Sequence, residues 1–130
     1  MDPLAFRSSL IGHGIGRRIV RAGFSGAAPA GTSGEACADF VAAKTAQMFD
    51  GDPPDAVVVD LTAIEGWNAD GLVRRLRDLQ ARHAGARLVV VAGGAAYESL
   101  ETGFAAAGDD GAGPRVVRSI EEALQNTGRR

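Results

Sequence analysis

Ala56-Val57-Val58-Val59-Asp60-Leu61 sets three β-branched residues in a row beside a single carboxylate. A run with no polar alternation is expected of a central strand covered on both faces, as in a parallel sheet. After a turn around Glu65-Gly66, Asn68 stands before a helix whose apolar residues Leu72, Val73, Leu76 and Leu79 recur at three and four. The other face of that helix carries Arg74, Arg75, Arg77, Asp78 and Arg82, with Arg74 to Asp78 and Asp78 to Arg82 at i,i+4. Gly85 ends it, and Arg87-Leu88-Val89-Val90-Val91-Ala92 forms a second buried strand. A helix of ordinary crossover length between two such strands predicts that they are neighbours, or nearly so, and parallel.

The same alternation continues in both directions. Toward the C-terminus come a helix over about Ala95 to Ala106, a polar Gly/Asp loop, a short strand at Arg115-Val116-Val117-Arg118, and a closing helix through Leu124 that begins at a Ser119/Glu122 capping box. Toward the N-terminus, Asp50-Gly51-Asp52-Pro53-Pro54 stops a helix that a Thr32/Glu35 capping box opens. Ahead of it lie a small-residue loop at Ala27 to Gly31 and a short strand, Arg18 to Phe24, closed by Ser25-Gly26. Residues 1–17 read as an N-terminal arm or edge strand, 18–126 as one domain and 127–130 as a flexible tail. The expected class is a small single-domain α/β protein with a mixed, mostly parallel sheet and helices packed on it.

Composition narrows the function. Of 130 residues, 45% are hydrophobic and 23% charged, and 14 basic against 16 acidic side chains leave a net charge of -2. Lys44 and the arginines are scattered among carboxylates, so no basic stripe suggests nucleic-acid binding. Cys37 is alone, which rules out an internal disulfide and a cysteine-based zinc cluster and fits a reducing, cytoplasmic setting. Neither a signal-peptide pattern nor a run of 18 apolar residues is present, so membrane insertion is not expected.

The order strand, helix, Val57-Val58-Val59-Asp60-Leu61, turn, Asn68-Ala69-Asp70-Gly71-Leu72, helix, strand resembles the STAS domain of sulfate transporters and anti-sigma factor antagonists. The likeness extends over about residues 18 to 125, through Leu100-Glu101-Thr102-Gly103-Phe104 and Ile120-Glu121-Glu122-Ala123-Leu124. It implies a non-enzymatic protein-interaction module without a cofactor, acting in signal transduction and transcription regulation of the bacterial type. Implied partners are an anti-sigma factor kinase, another STAS protein or a transporter subunit, with a homodimer as a further option. It also implies a phosphoacceptor Ser or Thr at the position that Ala69 fills here, so the usual phosphorylation switch does not carry over. The partner-binding surface expected from it comprises Trp67, Asn68, Asp70, Gly71, Leu72, Arg74 and Arg75. Two roles stand open for Trp67, core packing beneath the loop or a surface aromatic beside Asp70 and the arginines.

Other candidate chemistry is thin. Gly12-His13-Gly14-Ile15-Gly16 precedes a strand instead of following one, the reverse of a phosphate-binding loop. Gly93-Gly94 sits between a strand and a helix start, where an anion or nucleotide would bind in the alternative reading of a small α/β nucleotide- or metabolite-binding protein. A self-assembling protein joined through an edge strand is a third reading. His13 and His83 are far apart in sequence and suggest no metal site, Cys37 reads as a small buried residue, and Asp109-Asp110 as a solvated loop.

Overall fold

The two charge-poor valine runs become inner strands of the sheet, and the stretch with Leu72, Val73, Leu76 and Leu79 becomes a helix. The computed structural model describes residues 4–14, 17–27, 34–50, 54–65, 70–83, 85–106 and 114–128. Along them run β1 (Leu4–Gly14), β2 (Arg17–Ala27), α1 (Gly34–Gln47), β3 (Ala56–Glu65), α2 (Asp70–Arg82), β4 (Arg87–Val91), α3 (Gly94–Ala106), β5 (Arg115–Val117) and α4 (Ile120–Gly128). The strands form one sheet in the order β1-β2-β3-β4-β5, antiparallel between β1 and β2 and parallel elsewhere. The two valine runs pair as expected, with Val57 opposite Leu88 and Val59 opposite Val90.

Because strand order follows chain order, each right-handed crossover steps the same way and puts α1, α2 and α3 on one face. The larger core lies there, built from Phe24, Val41, Val57, Val59, Leu61, Leu72, Leu76, Leu79, Leu88, Val90 and Leu100. On the second face α4 lays Ile120 and Ala123 against Ile19, Val58, Val89, Val91 and Val117. Cover on both sides is the reason the valine runs do not alternate. At the head of α4 the expected cap is present, the Glu122 amide donating to Ser119 Oγ at 3.1 Å.

Three element ends, those of β2, β3 and α4, differ from the sequence reading. Residues 4–14, read as an arm or edge strand, form an eleven-residue edge strand whose Phe6 lies 5.1 Å from Phe24 between ring centroids. β2 continues past Ser25-Gly26, and β3 continues past Leu61 to Glu65, because Ser25, Gly26 and Ala27 go on pairing with Ala63, Ile64 and Glu65. The register slips where Gly23 faces Asp60 and Ser25 faces Ala63, which leaves one extra residue on β3. Asp60 accounts for that bulge: its Oδ1 accepts the Thr62 amide at 3.0 Å, drawing that donor toward a side chain. Finally, α4 runs to Gly128, into the stretch read as a tail. The Thr32/Glu35 cap and the Ala27–Gly31 loop fall mainly outside the described residues, Asp109-Asp110 wholly so.

Gly103 has a packing reason. A Cβ there would stand 2.6 Å from Val73 Cγ2, so its missing side chain lets α3 close on α2. Gly103→Ala is expected to lower stability, because overpacking costs about 1–3 kcal/mol and the better helix propensity of Ala returns only about 1 kcal/mol. Urea unfolding checks this, and a gain in midpoint would show that Val73 moves aside freely.

Candidate functional site

The surface expected to bind a partner surrounds the start of α2. Trp67, Asn68 and Ala69 lie outside the described residues, and Asp70 is the first residue of the helix. Leu72 is fully buried, so its contribution is to seat the helix on the sheet. Gly71 is half-buried and its carbonyl accepts from Arg75 Nη1, while Arg74 is exposed. Arg75 also turns inward to α1, its Nε donating to Asp39 Oδ1 at 2.7 Å. The structure therefore separates two arginines that adjacency in sequence had grouped: Arg74 faces outward, and Arg75 ties α2 to α1.

Farther along α2, Gln80 is almost wholly buried and joins the helix end to β4. Its Nε2 donates to the carbonyls of Ala86 at 2.6 Å and His83 at 3.3 Å, and its Oε1 accepts the Leu88 amide at 2.8 Å. His83 stacks on Phe49 with 4.2 Å between centroids, which makes it a core-edge residue. Cys37 is buried, and that burial pushes its thiol up from the ordinary value, away from the reactive thiolate. Gly94 takes φ +57, and the Tyr97 amide closes on the Gly93 carbonyl at 3.4 Å, so this Gly pair makes a turn into α3. Among the described residues no group of three or more His, Cys, Asp or Glu is placed to hold a metal, and no helix is long and apolar enough to cross a membrane.

A polar cluster that the sequence reading missed occupies the second face of the sheet, beside the area under α4. Asp60 is 4% exposed. Its Oδ2 accepts from Arg21 Nε at 2.9 Å and Nη2 at 2.6 Å, and its Oδ1 from the Thr62 hydroxyl at 2.6 Å as well as the Thr62 amide. Burial pushes the Asp60 carboxyl up, but the Thr62 hydroxyl and amide and the hydrogen bond and charge of Arg21 together hold it below its usual value. The signal in the sequence is a carboxylate inside a valine run, since a buried charge demands a partner. Cross-strand pairing puts Arg7 opposite Gly23 and Ala5 opposite Ser25, on this same face. Ala5, Arg7, Arg21, Gly23, Ser25 and Ala63 line an open cavity of about 360 Å³ there.

No protein-family model matches the chain, and no curated protein does. Among solved structures, its fold is similar to that of an anti-sigma factor antagonist from Mycobacterium paratuberculosis, with a TM-score of 0.57 and 20% identity over 96% of this chain and 96% of that one. At that identity the likeness speaks for the fold, which is STAS-like, a single small α/β domain.

Proposed function

We propose that this chain is a non-enzymatic STAS-type interaction module, an anti-sigma factor antagonist-like regulator or adaptor that works without the usual phosphorylation switch. The observation that carries the reading is Asn68-Ala69-Asp70-Gly71-Leu72 at the start of α2 in a STAS-like fold, with no hydroxyl where the resemblance implies a phosphoacceptor. A helix N-terminus favours negative charge, and Asp70 supplies one charge where a phosphoserine would bring about -1.5 to -2 and three acceptor oxygens. Asp70 is thus a poor imitation of the phosphorylated state, and the module is held in a single state with respect to phosphate. The partner docks around Trp67, Asn68, Asp70, Gly71 and the exposed Arg74, on a helix that Leu72 and Arg75 hold in place. A cytoplasmic serine-kinase anti-sigma factor or another STAS protein has the matching chemistry.

Titration calorimetry against such an anti-sigma factor from the same cell tests the reading. Asp70→Ala and Arg74→Ala are each expected to weaken binding about tenfold, or about 1.4 kcal/mol, with the thermal midpoint changed little, since loss of a first-turn charge costs a helix only about 0.3–1 kcal/mol. Normal affinity in both variants removes the partner from this surface. Arg75→Ala is a poorer probe, because it also releases the tie to Asp39. After incubation with the kinase and ATP, the peptide containing residues 67–72 is expected to gain no phosphate mass, and a gain would end the switchless reading.

A further inference from the structure

We propose that the part of the sheet's second face that no described helix covers is a binding site for a small carboxylate, separate from the surface at α2. α4 packs on β3, β4 and β5, and the cavity lies beyond it, over β1, β2 and the far end of β3. At about 360 Å³ it lies in the size range of small-ligand pockets. Its floor is low because Ala5 and Ala63 project little and Gly23 leaves room for the Arg21 guanidinium that covers it, so a flat body can lie beside that guanidinium.

The charge is placed in advance. Asp60 holds Arg21 through Nε and Nη2, and the guanidinium comes to rest over Gly23, 3.2 Å from where a Cβ would be. That leaves the Nη1 edge of the fork without a described partner at a fixed position. Arg7 reaches the same cavity and is exposed, and among the described residues it makes no ion pair or side-chain hydrogen bond. Ser25 adds a hydroxyl to the lining. Arg21 and Asp60 cancel, so Arg7 leaves one net positive charge, which matches a monoanionic carboxylate better than a phosphate dianion. Two guanidinium edges with planar N–H donors suit the planar carboxylate group.

Thermal-shift and calorimetric titration of the full chain with benzoate, at constant ionic strength, tests the site against benzamide and inorganic phosphate. Benzoate is expected to raise the melting temperature saturably, while benzamide and phosphate leave it unmoved. Arg7→Gln is expected to fold normally and to weaken benzoate at least tenfold. Gly23→Ala is expected to weaken it too, by displacing the Arg21 guanidinium, whereas Arg115→Gln, an exposed charge on β5, leaves it intact. The proposal falls if benzoate gives no saturable shift, if Arg7→Gln binds it as the parent does, if Arg115→Gln abolishes it equally, or if phosphate stabilises more than benzoate.

Discussion

Gln80→Leu is expected to destabilise the fold by about 2–6 kcal/mol, because two buried backbone groups lose their partner at about 1–3 kcal/mol each. The Ala86 carbonyl and the Leu88 amide both bond this one side chain, and both bonds are buried. Leu fits the size of the site and adds apolar surface, so the loss isolates the hydrogen bonds from packing. Against a typical total of about 5–15 kcal/mol, such a loss consumes much of the margin. Urea unfolding monitored by circular dichroism reads it as a fall in midpoint at constant slope. A change below about 0.5 kcal/mol, the usual range of a neutral surface substitution, would show that other groups satisfy Ala86 and Leu88.

Gln80 also shows where sequence reading stops. It stands four residues after Leu76 and one after Leu79, on the buried side of α2, yet the three-and-four pattern registers only its polarity. Its partners, Ala86 and Leu88, lie across the turn into β4, and nothing in their apolar side chains announces backbone groups in need. Features that depend on short-range periodicity were legible: the two valine runs, the parallel pairing of β3 with β4, the body of α2, and the Ser119 cap. What depended on distant partners was not. β1 looked irregular at Ser8, Ser9 and the glycines, and its regularity comes from an antiparallel neighbour. Arg75 looked free until Asp39, 36 residues earlier, took its Nε.

The end of β3 follows the same logic. Thr62 and Ala63 resemble the start of a loop, and they are exposed. They remain in the strand because Asp60 absorbs the irregularity, accepting the Thr62 amide and hydroxyl while holding Arg21 with its other oxygen. One carboxylate therefore extends the parallel ladder toward the α2 start and also shapes the cavity wall on the opposite face. The STAS-like resemblance covers Asp60 as part of the Asp-Leu strand end, but its work here rests on Arg21, 39 residues away in the chain.

Removing Arg21 exposes how much that arrangement carries. Arg21→Met is expected to cost about 2–4 kcal/mol at pH 7, somewhat under the usual 3–5 for breaking a buried pair because the Arg21 side chain is 34% exposed. The pH dependence gives the sign. In the parent, the Asp60 carboxyl is held below its usual value, so its stabilising contribution is complete above the unfolded value of about 3.9 and is lost as pH falls from there through the folded one. In Arg21→Met burial still pushes the carboxyl up and the two Thr62 bonds still pull it down, but the guanidinium's hydrogen bonds and charge are gone, so the carboxyl protonates at higher pH than in the parent. Protonation then relieves the variant at a pH where it still harms the parent, so the deficit between them shrinks as the solution is acidified. Adding Asp60→Asn to Arg21→Met removes the unpaired charge and is expected to recover part of the loss at pH 7. Denaturant unfolding of the four chains of that cycle between pH 7 and 3.5 measures both effects. A deficit constant across that range, with no recovery in the double variant, would mean that Arg21 contributes through packing on Gly23 and that its charge does not stabilise Asp60.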